Sequence, residues 1–102
     1  MNSLLYHPEA ERELRESTRY YENEQSGLGD RFFAQIQTAL NRIQHNPLTG
    51  FLSERGTRTY RVPGGFPYGI VFREREHQVQ IIAVYHFSRR PGYWITRIED
   101  ES

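Results

Sequence analysis

The sequence has no cysteine, no lysine, one tryptophan, one methionine and no net charge. Without cysteine there is no disulfide, no thiol nucleophile and no Cys-type zinc site, and the chain is compatible with a reducing compartment. No run approaches the ~18 consecutive apolar residues of a membrane helix, and the N-terminus lacks a basic region followed by a long apolar one. No membrane association is therefore expected, and the cytoplasm is the expected location. A balance of zero charge argues against nonspecific nucleic-acid binding, in which affinity comes from neutralising several phosphates at once. His7, His45, His77 and His86 are scattered, with no pair one helical turn apart, so no metal site is expected. Gly64 and Gly65 form a turn rather than a phosphate-cradling loop, and no serine sits in a nucleophile-elbow context. No cofactor is expected.

What remains is a chain of 102 residues, 36% hydrophobic and 14% aromatic. That length predicts a single domain over residues 1–102, burying roughly two-thirds of its unfolded surface. All 13 basic residues are arginine, which fits either a genomic composition bias or a use for planar, forked cations. They are unevenly placed. Residues 1–50 carry five arginines against seven acids, residues 51–98 eight arginines against three acids.

Periodicity predicts the elements. The apolar run from Met1 to Tyr6 reads as a strand, and His7-Pro8-Glu9 as a helix entry, with proline in the first turn and acids facing the positive helix end. Helix one runs from about Pro8 to Gln25, with Ala10, Leu14, Ser17 or Thr18, and Tyr21 facing inward. After "SGLGD", Leu28, Phe32, Ile36, Leu40 and Ile43 recur at helical spacing, widened by Phe33 and Ala39, until Asn46-Pro47 and Gly50 end helix two. Beyond Gly50 the period becomes two in "TRTYRV" and "FPYGIVF", while "VQIIAVYH" is apolar on both faces, as a covered central strand would be. The order β-α-α-β-β-β makes this an α+β fold, a helix hairpin packed on one face of a small antiparallel sheet. Helix two should pack against Ile70, Phe72, Ile82 and Val84.

The stretch "YHFSRRPGYWITR", residues 85–97, holds a histidine, three arginines, two tyrosines and the tryptophan, with no acid to neutralise them. Together with "HPEAEREL" opening helix one, "NPLTG" after helix two and "FPYGIVF" on a strand, it resembles the RelE/ParE superfamily of type II toxin–antitoxin toxins over nearly the whole chain. The resemblance implies a growth inhibitor neutralised by a cognate antitoxin that wraps its surface. Members divide between ribosome-dependent mRNA endonucleases and proteins that poison DNA gyrase.

Metal-free RNA cleavage needs a base, an acid and cations held at the phosphate. Arg61 or Arg73 could supply the cation, His86 the acid or base, and Tyr93 a stacking surface or proton. Each has a structural alternative: solvated strand faces for the arginines, a strand-end hydrogen bond for His86, and an aromatic plug over the sheet for Tyr93 with Trp94. The missing lysines and zero net charge depart from the strongly basic ribosome-dependent members, and "FPYGIVF" and H-x-x-R-R-P-x-Y-W look like the ParE-type, plasmid-stabilisation branch. DNA gyrase is therefore the expected target of a non-enzymatic inhibitor. The ribosome and its mRNA, cleaved by a metal-independent endoribonuclease, are the alternative, and a toxin-like fold that only binds its partner a third. Arg89, Arg90, Tyr93, Arg97 and Arg58 are expected to engage target or antitoxin, with Trp94 and Ile95 clasping the fold. The antitoxin tail is expected in the outer groove of the helix hairpin or on a sheet edge, attracted by Glu9, Glu13 and Glu16.

Overall fold

A computed structural model describes residues 2–99; Met1 and residues 100–102 of the acidic tail lie outside the described residues. The chain runs β1 (Ser3–Tyr6), α1 (Pro8–Glu24), α2 (Leu28–His45), β2 (Phe51–Leu52), a 3-10 turn at Glu54–Gly56, β3 (Arg58–Arg61), β4 (Tyr68–Arg75), β5 (Gln78–His86) and α3 (Ile95–Glu99). The α+β order β-α-α-β-β-β is observed, with two short additions, β2 and α3.

Local chemistry sets the helix hairpin. Pro8 opens α1, where its missing N–H costs nothing, and His7 Nδ1 accepts the Glu9 N–H at 3.1 Å. At the turn, Gly27 has no side chain to cap α2, and the Glu22 carboxylate of α1 substitutes, accepting the N–H groups of Gly27 and Gly29 at 3.0 and 3.1 Å. The helices approach closely there. A Cβ on Gly29 would lie 2.8 Å from both Glu22 Cβ and the Thr18 carbonyl oxygen. After α2, Gly50 adopts φ +80°, and a side chain there would meet the Thr59 carbonyl at 2.4 Å, so only glycine lets β2 start beside β3.

The sheet order is β1-β5-β4-β3-β2. It is mixed, not wholly antiparallel: β1 lies parallel to β5, while the other neighbours are antiparallel. Nothing in a four-residue apolar run specifies its partner, and β1 finds its own 75 residues further on, in the register Ser3↔Gln78. Asn2 and Gln44 tie that edge to the end of α2, each side-chain amide donating to the other's backbone carbonyl.

One side of the sheet carries the main core: Ala10, Leu14, Phe32, Ile36, Ala39, Leu40 and Ile43 from the helices against Ile70, Phe72, Val79, Ile81 and Val84. Ile82 is not among them. The ladder pairs Val71 with Ala83 but Phe72 with Ile81, leaving Ile82 as an extra residue that flips the strand's parity. Ile82 thus joins Val71, Ala83 and Trp94 in a second buried cluster on the sheet's other face. Phe33, expected to widen the core face of α2, instead remains 43% exposed.

Candidate functional site

The second sheet face is covered by the C-terminal segment. Beyond His86 the chain descends through turns, with Arg89 N–H to the His86 carbonyl at 2.9 Å and Ile95 N–H to the Gly92 carbonyl at 3.0 Å, and ends in α3. Trp94 is buried against Val71, Ile82 and Ala83, so the clasp expected of Trp94 is present, with Ile95 packed beside it.

A carboxylate from helix one fixes this segment. Glu13 Oε1 accepts the Val84 N–H at 3.0 Å and an Arg97 Nη1 hydrogen at 2.9 Å; Oε2 accepts the Tyr93 hydroxyl at 2.5 Å and Arg97 Nη2 at 2.9 Å. Arg97 also donates to the Ile82 carbonyl at 3.0 Å. The two charged side chains are only 11% and 8% exposed, so this is a buried, bidentate ion pair with its remaining valences satisfied. Burial, then the hydrogen bond to Glu13, pushes the Tyr93 hydroxyl well above the ordinary tyrosine range.

Around it runs a row of three rings with a cation at each end. The Arg89 guanidinium lies 3.9 Å above the Tyr93 ring; Tyr93 meets Tyr85 edge-on at 6.1 Å, Tyr85 meets Phe87 at 5.5 Å, and Arg61 covers Phe87 at 4.8 Å. Arg90 is exposed at the turn beside this row.

The structure brings together some of the residues singled out by sequence and separates others. Arg61, Arg89, Arg90 and Tyr93 share the C-terminal face. His86 pairs across the ladder with Tyr68, stacks edge-on against its ring at 5.2 Å on the helix side, and accepts the Ser88 N–H through Nδ1. Arg73 sits five residues along β4 from that pair, ~17 Å away at strand spacing, its Nε donating to Gln80. Arg58 faces the helix side of β3, with Nη1 3.5 Å from the Gly50 carbonyl. Arg97, expected at the surface, is interior because Glu13 claims it. Glu13, expected to attract an antitoxin tail, is interior for the same reason, while Glu9 and Glu16 both pair with Arg12. Among the described residues no group of three His, Asp or Glu side chains is gathered closely enough to hold a metal ion.

A second feature lies on the outer side of the helix hairpin. A groove of about 540 Å³ runs between α1 and α2, with Leu14, Thr18 and Phe33 contributing its apolar surface and Glu11, Arg19 and Asp30 among its charged lining. Its shape and mixed rim suit one face of an amphipathic helix.

The family model described as the ParE toxin of the parDE type II toxin–antitoxin system matches residues 4–91, from β1 through the Arg89-Arg90 turn. The chain belongs to the ParE toxin family. As a ParE-family protein it is the toxin of a type II toxin–antitoxin pair and has an antitoxin partner. Among solved structures it is similar to a chain of the chromosomal ParDE system from P. aeruginosa, with 21% identity, a TM-score of 0.63, and 84% of this chain and 96% of that chain covered; this likeness shows the fold. No curated protein matches the sequence. No helix among the described residues of this ParE-family toxin is long and apolar enough to cross a membrane.

Proposed function

We propose that this ParE-family toxin arrests growth in the cytoplasm by binding DNA gyrase as a non-enzymatic inhibitor, through a surface centred on Arg89, Arg90 and Tyr93. One observation carries this reading over endonuclease chemistry: the groups a metal-free nuclease would use do not converge. His86 is on the helix side of the sheet, Tyr93 and Arg61 on the other, Arg73 far along β4. Tyr93 is a poor proton donor to any substrate, because its hydrogen is held by Glu13 and its acidity suppressed. A Tyr–Arg surface with aromatic bodies and cationic tips is instead the composition of a protein-interface centre.

The antitoxin tail occupies the groove between α1 and α2 as an amphipathic helix and can extend a sheet edge. Because the rim carries both signs, the tail needs both acidic and basic flanks rather than a uniformly basic one.

The test is a paired assay of purified toxin against gyrase supercoiling and against message on translating ribosomes. Supercoiling inhibition is expected, weakened at least about tenfold by Arg89→Ala with Arg90→Ala, and unaffected by His86→Ala. Codon-position cuts in ribosome-bound message, reduced roughly 10²-fold by His86→Ala, would overturn the reading and establish the endoribonuclease alternative.

A further inference from the structure

The rings of the C-terminal face meet because a residue beneath them has no side chain. Gly69 of β4 pairs with Arg61 of β3 on one side and Tyr85 of β5 on the other, so the three form one row across the sheet and share a face. A Cβ on Gly69 would lie 2.9 Å from the Phe87 ring and 3.1 Å from the Tyr85 ring. With only hydrogen there, Phe87, its N–H held by the Pro67 carbonyl at 2.9 Å, sets its ring between Tyr85 and Arg61. The strip therefore ends in a guanidinium on each side, Arg61 over Phe87 and Arg89 over Tyr93. These cations are not neutralised. Arg97 already matches the charge of Glu13, so Arg89, 52% exposed and 3.9 Å from the same carboxylate, leaves a positive charge in excess. Among the described residues Arg61 and Arg90 form no ion pair, and Glu54, whose carboxylate would lie 3.6 Å from a Cβ on Gly92, pairs with neither.

We propose that this strip receives an extended segment of the toxin's target that carries an acidic residue at each end and apolar residues between them. This rests on the reading that the C-terminal face meets the target. Charge and geometry select the occupant. A guanidinium held over a ring keeps its N–H edge free for a carboxylate and has less freedom left to lose, while Phe87, Tyr85 and Tyr93 offer apolar surface between the two ends. Two strand spacings, ~10 Å, separate Arg61 from Tyr85, and Arg89 lies beyond Tyr93, so the two acids should stand roughly four to six residues apart in an extended chain. The rings do not suit nucleic acid. Successive rings are turned by 83° and 64°, and the Phe87 and Tyr93 faces are already covered by arginine, whereas stacked bases need open faces. The chain also lacks the net positive charge of a nonspecific phosphate binder. A second copy of the toxin is opposed as well, because a strip with cations at both ends sets like charges together whichever way its copy is turned.

The experiment compares full-length wild type with Arg61→Gln, Arg61→Glu and Arg61→Lys, each purified from its antitoxin complex. Arg61 is exposed, so the fold should survive, as melting temperature and antitoxin affinity will report. Binding to purified gyrase subunits and growth arrest in cells are expected to fall in order of charge, roughly threefold for Arg61→Gln and about tenfold or more for Arg61→Glu. Because the sequence has no lysine, Arg61→Lys introduces its sole side-chain amine, and a carbodiimide should join that amine to an Asp or Glu of the bound subunit. If wild type binds no gyrase subunit, the gyrase assignment fails by itself, and growth arrest still decides the role of the strip. Full growth arrest by Arg61→Glu, or equal losses for Arg61→Gln and Arg61→Glu, overturns the proposal. So does wild-type binding of a labelled single-stranded oligonucleotide that Arg61→Glu abolishes, or carbodiimide coupling to a second copy of the toxin in place of the target.

Discussion

Removing the Tyr93 hydroxyl leaves Glu13 one donor short, whereas removing the Glu13 carboxylate leaves Arg97 buried without a counter-charge. The two changes should therefore differ in cost: ~1–3 kcal/mol for Tyr93→Phe and ~3–5 kcal/mol for Glu13→Ala in urea unfolding, with equal losses meaning that the ion pair contributes little. The same network has a pH signature. Because burial and Glu13 raise the Tyr93 pKa in the folded state, its stabilising contribution is complete below the ordinary tyrosine value near 10 and is lost as pH rises beyond it. Melting of the wild type should thus decline more steeply above pH ~10 than melting of Tyr93→Phe; parallel curves would show that the hydroxyl is not coupled to folding. Glu13 was not legible: grouped with Glu9 and Glu16 as an outward acid, it is buried beside Leu14 because Arg97, 84 residues along the chain, satisfies its charge there. A second residue-scale test concerns the β4–β5 turn, where Glu76 and His77 both have positive φ (53° and 65°), a conformation that suits Asn-Gly. Replacing the pair by Asn-Gly should raise stability by about 1 kcal/mol in urea melts, and a loss would mean that these side chains make contacts that outweigh backbone strain.

At the scale of elements, the helices were legible because eight inward positions of α1 and α2 follow one period over many turns, whereas the sheet was legible strand by strand but not in assembly. A two-residue strand such as β2 carries too few positions for alternation to register. The parallel seating of β1 depends on a partner far along the chain. The bulge at Ile82 inverts inward and outward assignments from one residue to the next, which no fixed period can anticipate. This inversion is testable by pairing two substitutions. Leu40→Ala should cost ~2–5 kcal/mol through a cavity between α2 and the sheet. Ile82→Ala should cost a comparable amount but couple to Trp94→Ala in a double-mutant cycle, and not to Leu40→Ala. Coupling to Leu40 instead would return Ile82 to the helix side.

For the molecule as a whole, the proposed reading assigns antitoxin and target to different surfaces, the helix groove and the C-terminal face. Phe33→Asp, placed in the groove, should weaken antitoxin binding at least about tenfold by calorimetry while leaving growth arrest intact, and loss of both functions together would mean that the surfaces overlap. The sequence disclosed the family through the order of its pieces, but not this separation, because which exposed residues neighbour each other is decided by the sheet order. That order has one more consequence, for synthesis. β1 must wait for β5, and Glu13 must wait for Arg97, 84 residues later, before either is satisfied. A chain still emerging from the ribosome therefore cannot seat β1 before residues 78–81 exist, nor satisfy Glu13 before Arg97 exists, and such nonlocal closure is slow.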